Sequence, residues 1–113
     1  LDSVVTCFIF EAARAIEFRG VAVKQGQPIA MKGDILVSTA DSSLDLLEPA
    51  IREISSNDRE NVLVLVGGKF RESELATVNK SIEVFTANNE DFLIEVHWGG
   101  QPHYDFIVSS SLG

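Results

Sequence analysis

The apolar residues of this chain gather into two uninterrupted runs, and both runs are typical of buried β-strands. Val4 to Phe10 is rich in β-branched and aromatic side chains, and Val62 to Val66 is wholly aliphatic. A strand that packs on both faces has no polar side, so its residues do not alternate between apolar and polar. Both segments are therefore predicted to be buried strands.

Shorter extended segments flank the turns. Segments 28–31 and 34–38 surround Lys32-Gly33, which predicts a tight β-hairpin in which glycine supplies the positive φ. Near the C-terminus, apolar residues alternate with others from Phe92 to Trp98, which predicts a strand with one apolar face. Tyr104 to Val108 is predicted to be the last strand.

Two stripes of apolar residues recur at steps of three and four, and each predicts an amphipathic helix. The first stripe is Leu44, Leu47, Ile51 and Ile54, and the second is Leu75, Val78, Ile82 and Phe85. Pro49 lies inside the first stripe, so either it kinks that helix or the regular part begins near Glu48. Asn88-Asn89 is a natural stop for the second helix. Segment 11–17 is ambiguous between helix and strand.

The order strands, helix, strand, helix, strand, strand predicts an α/β (α+β) fold. The simplest packing is a single mixed sheet with two helices on one face and a C-terminal β-hairpin. Right-handed crossovers through the helices place the strand Val62 to Val66 in a parallel pair. The 113 residues fit one domain, 1–113, and the start at Leu1 suggests an excised fragment or a processed product.

Charge and composition narrow the classes of partner. The net charge is −8 and the nine basic residues are scattered, which disfavours nucleic acid and anionic membrane surfaces. No apolar stretch approaches the ~18 residues that span a bilayer, and no secretory signal is present, so the cytoplasm is the expected compartment. The one cysteine, Cys7, lies in an apolar run and is expected to act as a small buried hydrophobe.

The turn Gly99-Gly100-Gln101-Pro102 is the most distinctive local feature. Two adjacent glycines reach backbone conformations that other residues avoid, and the proline fixes φ and keeps Gln101 extended. One interpretation is a rigid turn with a bulge. The other is a recognition loop that presents Trp98 and Tyr104 as aromatic anchors.

Two further groups of residues are candidates for a phosphate site and a metal site. Gly67-Gly68 follows a buried strand and precedes a helix, with Lys69 beside it, which is where α/β proteins often bind phosphate. No complete phosphate-binding motif is present, so a plain turn is the favoured interpretation. His97 and His103 flank the glycine turn, but they lack the additional ligands of a zinc site, so no metal is expected.

The turn Gly99 to Pro102, which we call the closing turn, and the residues around it resemble a known family. The stretch from Glu95 to Tyr104, Glu-Val-His-Trp-Gly-Gly-Gln-Pro-His-Tyr, and the strand Phe106 to Ser109 resemble the end of FakA-like proteins. FakA is the ATP-binding component of bacterial fatty acid kinase, within the dihydroxyacetone-kinase-like family. The segments Gly20 to Ala30 and Lys32 to Val37 are similar to an earlier block of that family.

The resemblance implies a C-terminal fragment of a longer dihydroxyacetone-kinase-like protein. The resemblance also implies that such a domain engages a DegV-like fatty-acid-binding partner, and that ATP and Mg²⁺ bind the parent's N-terminal domain. This fragment would hold no cofactor and no catalytic residue. Family members carry Arg-Asp-Thr where this chain has Arg14, Ala15 and Ile16, which puts any polar role of that motif in doubt.

The resulting candidates for partner binding are the residues of the closing turn and one arginine before it: Trp98, Gly99, Gly100, Gln101, Pro102, His103, Tyr104 and Arg14. One alternative is a small-ligand site for a fatty acid or phosphate near Gly67, Gly68 and Lys69, with an apolar pocket lined by Phe70 and Phe85. The other alternative is a dimerisation module that pairs an exposed strand edge across a two-fold axis.

Overall fold

A computed structural model describes residues 5–54, 60–87 and 93–112 of the chain. Eight strands form a main sheet and a small hairpin. In chain order they are β1 (Val5–Glu11), β2 (Ile16–Phe18), β3 (Val21–Val23), β4 (Pro28–Lys32), β5 (Ile35–Thr39), β6 (Glu60–Val66), β7 (Leu93–Trp98) and β8 (Phe106–Leu112). The main sheet has the order β5-β4-β1-β8-β6-β7, and β2 pairs with β3 alone.

Both apolar runs form strands near the middle of the main sheet, as the sequence predicts. β1 lies between β4 and β8, and β6 lies between β8 and β7. β6 and β7 are parallel, which confirms the predicted parallel pair, and the remaining neighbours in this sheet are antiparallel. The predicted hairpin of β4 and β5 is also present. The fold class, a mixed sheet with two helices, is thereby confirmed.

The predicted C-terminal hairpin is present as two antiparallel strands joined by the glycine turn, and a third strand lies between them. β7 and β8 follow each other through this turn, but β6 separates them in the sheet, so they are not hydrogen-bonded to each other. The turn spans the end of β6, where the N–H groups of Gly99 and Gly100 both donate to the carbonyl oxygen of Val66. These bonds tie the turn across β6.

Two helices cover one face of the sheet. A 3₁₀ turn, Ser43–Leu46, leads into α1 (Leu47–Ile54), and α2 (Leu75–Ala87) follows β6. Pro49 lies in the first turn of α1, where backbone N–H groups have no hydrogen-bond acceptor within the helix. The predicted alternative in which the helix begins next to the proline is therefore the one that the structure has. The predicted stop at residues 88–89 and Phe92 lie outside the described residues.

The main core lies between the sheet and both helices. Its strand side includes Cys7, Ile9, Val64 and Phe106, which pack with the apolar stripes of α1 and α2. Alternation along β1 therefore directs its other aromatic residues, Phe8 and Phe10, to the opposite, outer face. None of the described helices is long and apolar enough to cross a membrane.

Segment 11–17, which the sequence leaves ambiguous between helix and strand, forms no helix and runs from the end of β1 to the start of β2. Its last residues begin β2, which forms an antiparallel hairpin with β3. This hairpin lies over one half of the outer face, where Val23 packs with Ile29 and Met31 in a second, smaller apolar cluster. Pairing with β3 sets the strand state of Ile16 and Glu17, whose local propensity is balanced.

Candidate functional site at the carboxyl edge of the sheet

Four strands of the main sheet deliver their C-terminal ends to the same edge. β6 and β7 are parallel to each other. β1 runs in the same direction as β6, because the antiparallel strand β8 lies between them, and β5 runs in the same direction as β1, because the antiparallel strand β4 lies between them. The loops that follow these ends, residues 67–71 and 99–105 among them, therefore converge. This carboxyl edge is where open α/β sheets commonly place their binding sites.

The two glycine-containing loops lock together at this edge. The N–H of Gly67 donates to the carbonyl oxygen of Asp105 (2.8 Å), and the N–H of Gly68 donates to that of Gln101 (2.8 Å). In return, the N–H groups of Gly99 and Gly100 donate to Val66 at 2.9 and 3.0 Å. Each loop thus satisfies backbone groups of the other, which holds the closing turn in one conformation.

Glycine is required here by close approach. A Cβ atom on Gly67 would lie 2.0 Å from the carbonyl oxygen of Tyr104, and one on Gly68 would lie 2.8 Å from that of Gly100. A Cβ atom on Gly100, whose φ is +65°, would lie 2.9 Å from the Trp98 ring. Gly67 and Gly68 therefore permit one loop to pack against the other, whereas Gly100 makes room for the Trp98 ring beside its own turn.

Gln101 is turned inward from the closing turn. Its Nε2 donates to the carbonyl oxygen of Leu65 (3.0 Å). Its Oε1 is buried and has no hydrogen-bond partner among the described residues. Among the predicted recognition residues, the Gln101 side chain thus joins the backbone of Gly99 and Gly100 in holding the turn against β6.

The two aromatic anchors lie on opposite faces of the sheet. Trp98 pairs with Val66, whose side chain is in the helix-side core, and its Nε1 donates to the carbonyl oxygen of Phe70 (3.1 Å). The Tyr104 ring instead packs on the outer face, with centroids 4.8 Å from Phe8 and 5.6 Å from Phe10. Trp98 is 41% exposed and Tyr104 is 37% exposed, so both fixed rings offer apolar surface to solvent.

The remaining predicted binding residues are exposed around the same edge. Pro102 and His103 lie between the two aromatic residues at the crest of the turn, and His103 has a positive φ of 74°. Arg14 is exposed three residues beyond the end of β1. His97 is exposed on β7, and the described residues contain no group of three His, Cys, Asp or Glu that could hold a metal ion.

A buried carboxylate closes the turn. Asp105 is 5% exposed, and its Oδ2 accepts a hydrogen bond from the Ser43 hydroxyl. The Lys69 ammonium lies 3.6 Å from the same oxygen and also donates to the Glu11 carboxylate. We name Ser43, Asp105, Lys69 and Glu11 the polar anchor. It connects the closing turn to the start of the helical layer, the loop after β6 and the end of β1.

The polar anchor holds the Lys69 ammonium in its charged form. The hydrogen bond to Glu11 raises the pKa of Lys69 above its usual value, and the nearby Asp105 carboxylate acts in the same direction, while partial desolvation opposes them. Asp105 also donates its N–H to the carbonyl oxygen of Ile9 (2.8 Å). A charged lysine and a buried aspartate thus stabilise the base of the turn.

The alternative site for a small ligand near Gly67 has few hydrogen-bond donors that are free to bind a phosphate. The N–H groups of Gly67 and Gly68 are engaged by carbonyl oxygens, and the Lys69 ammonium is engaged by carboxylates. Phe70 stacks on Phe106 with centroids 5.0 Å apart, and the predicted second wall of the pocket, the Phe85 ring, is buried. The geometry therefore favours a structural role for this loop over phosphate binding.

Comparison with known proteins places the chain in a family. The model of the C-terminal domain of FakA-like fatty acid kinase proteins matches residues 1–111. The chain belongs to this FakA-like C-terminal family. The resemblance carried by the closing turn is thereby confirmed and extends over essentially the whole chain.

Several relatives of the chain come from strains of Staphylococcus aureus, where they are called uncharacterized proteins. The protein of strain bovine RF122 / ET3-1 is 29% identical over 98 residues, which is 87% of this chain. Those of strains MRSA252 and USA300 are 28% identical over the same length. In each comparison the match covers 17% of the relative, so the chain spans about a sixth of the length of these curated relatives.

The polar anchor has little signal in the sequence. Ser43 and Asp105 are 62 positions apart, and each is an ordinary polar residue beside a predicted element. The one local signal is that Asp105 directly precedes the apolar strand residues Phe106 to Val108. A carboxylate next to a buried strand must find hydrogen-bond partners, but the sequence does not say which ones.

Proposed function

We propose that this FakA-like domain is noncatalytic and docks a DegV-like fatty-acid-binding protein. Docking would bring the carboxylate of the bound acyl chain to the kinase domain of the parent protein, where acyl phosphate forms. In this proposal ATP and Mg²⁺ belong to the parent's N-terminal domain. Phosphoryl transfer needs metal-held phosphates and positioned charge, and we assign neither task to residues of this domain.

The observation that carries the proposal is a rigid turn with two partly exposed aromatic rings. Trp98 is fixed by its hydrogen bond to Phe70, and Tyr104 is fixed by the rings of Phe8 and Phe10. Rings that are already immobilised lose little conformational entropy when a partner covers them. Aromatic residues of this kind supply much of the binding energy in protein interfaces.

The position of the two rings defines the shape of the contact. Because Trp98 and Tyr104 lie on opposite faces, a partner that touches both must straddle the edge of the sheet. Pro102 and His103 then lie at the centre of the contact. The three preceding residues of the turn, 99–101, support it from below.

Calorimetric titration of the chain with a fatty-acid-loaded DegV-like protein tests this function. The double substitution Trp98→Ala and Tyr104→Ala should weaken binding at least tenfold, because each truncated interface anchor costs on the order of 1–2 kcal/mol. Leu93→Ala is the matched control, since this residue is 70% exposed at the other end of β7. It should change affinity less than about twofold.

Unchanged affinity of the double variant, with a circular dichroism spectrum like that of the unsubstituted chain, would remove the residue assignment. Failure of the unsubstituted chain to bind any fatty-acid-loaded DegV-like protein would remove the docking function itself. A fall in affinity for Leu93→Ala equal to that of the double variant would move the contact away from the carboxyl edge.

A further inference from the structure

The hairpin of β2 and β3 has an unusual residue at its tip. Arg19 and Gly20 form a two-residue turn, and both have positive φ, 45° and 89°. Turns of this type favour asparagine, aspartate or glycine at both positions, because other side chains are strained there. Arginine is therefore poorly suited to the backbone at this position. Such a mismatch is typical of positions where the side chain serves another purpose.

The hairpin lies within a basic segment of an acidic chain, and its own residues, 16–23, carry Arg19 and Glu17. Segment 12–35 contains four of the nine basic residues and two of the 17 acidic ones, so it carries a net charge of +2 while the rest carries −10. Arg14, Arg19 and Lys24 are exposed. They form no ion pair with any residue in the described ranges, whereas Lys32 pairs with Glu53 on α1. Their charges remain available to a partner.

An apolar notch lies beside the tip of the hairpin. It has a volume of about 210 Å³ and is lined by Phe18, Arg19, Val21, Asp34, Ile35 and Leu36. Val21 is 47% exposed and Ile35 is 52% exposed, so the notch opens to solvent with apolar walls. Its size suits a single apolar side chain, and Arg19 stands on its rim.

We propose that this hairpin is a second docking surface, which receives an acidic segment bearing one apolar side chain. The partner's carboxylates would pair with Arg19 and its basic neighbours, and the apolar side chain would fill the notch. The inference rests on the proposed function, since the occupant is the same DegV-like protein. The charge difference within the chain argues for an acidic partner surface, because the hairpin region is positive against a strongly negative remainder.

Substitution of Arg19 by asparagine separates charge from folding. Asparagine tolerates positive φ, so Arg19→Asn should leave the melting temperature unchanged or raise it slightly. Its affinity for the fatty-acid-loaded DegV-like protein should fall about fivefold at ~0.1 M salt, and the salt dependence of binding should become weaker. Lys80→Gln on α2 removes an equal charge elsewhere and should change affinity less than about twofold.

The notch is tested by Ile35→Ala, which should weaken binding about threefold and leave the salt dependence unaltered. If Arg19→Asn and Ile35→Ala both bind like the unsubstituted chain while the double variant of the aromatic rings does not, the second surface is overturned and docking stands. If the unsubstituted chain does not bind, both proposals are overturned. Self-association that is lost on Arg19→Asn would identify a second copy as the occupant and also overturn the inference.

Discussion

Glycine serves two different purposes in this domain, as a comparison of the loop after β6, where it meets the closing turn, with the hairpin tip shows. At Gly67 a Cβ atom would lie 2.0 Å from a backbone oxygen of the other loop. At Gly20 a Cβ atom would meet nothing within 4 Å, and only the φ of +89° favours glycine. One glycine permits two loops to touch, and the other permits a backbone angle. The carboxyl edge around the closing turn is therefore closely packed, while the hairpin tip has open space around its backbone.

Charged groups follow the same division. At the carboxyl edge Lys69 is held by Glu11 and by the buried Asp105. At the hairpin tip Arg19 has no ion-pair partner among the described residues. Charges that are paired inside the fold stabilise it, whereas unpaired surface charges contribute chiefly to association with partners.

The largest difference between the two regions is expected from alanine at the two glycines. Gly67→Ala should lower the free energy of unfolding by about 3 kcal/mol, because backbone must move to admit the Cβ atom. Gly20→Ala should cost only about 1 kcal/mol, the strain of a left-handed alanine. Urea unfolding followed by the fluorescence of Trp98, the one tryptophan, measures both. Equal losses at the two positions would contradict the distinction drawn between them.

A smaller loss is expected from the polar anchor. Asp105→Ala should cost about 2 kcal/mol, since it leaves the buried Ser43 hydroxyl without its acceptor and Lys69 without one of its carboxylates. Asp105→Asn keeps an acceptor for Ser43 and should cost less. Urea unfolding of both variants checks this order, and Asp34→Ala beside the hairpin tip is the control for loss of an exposed aspartate. If Asp105→Ala were as stable as Asp34→Ala, the anchor would not support the fold.

The smallest expected effect is a dependence on alkaline pH. Because folding raises the pKa of Lys69 above its ordinary value of 10.5, its contribution to stability is complete below that pH and is lost as pH rises further. Burial, with help from Glu53, raises the pKa of Cys7 to about 11, which adds a decline of the same sign beginning near pH 9. Lys69→Met should make the decline shallower, and Lys24→Met should not. Identical pH profiles for the two variants would contradict the role given to Lys69.

Much of the architecture could be predicted because it depends on local pattern. The continuous run Val62 to Val66 indicates a buried strand, and the helix after it predicts a parallel neighbour, which β7 supplies. The position of β8 could not be predicted in the same way. Tyr104 to Val108 is close to β7 in sequence, but β8 pairs with β1 and β6, and that choice depends on contacts across the whole sheet.

Only those parts of the candidate site that depend on local sequence pattern can be predicted. Adjacent glycines and the flanking aromatic residues are visible in the sequence, so the turn could be singled out. Whether a glycine permits packing or only a positive φ depends on what lies opposite it, as Gly67 and Gly20 show. The inward side chain of Gln101 and the anchor at Asp105 depend on groups many positions away, so no local pattern reveals them.

The central claim is that the partner docks on the carboxyl edge around the closing turn. Nitrogen-15 NMR of the chain during titration with a fatty-acid-loaded DegV-like protein tests it most directly, because the single tryptophan gives one indole N–H signal. We predict that this signal and the amide signals of His103 and Tyr104 shift or broaden first, while those of α1 and α2 stay in place. Changes confined to the two helices, with the Trp98 signal unmoved, would contradict docking at this edge.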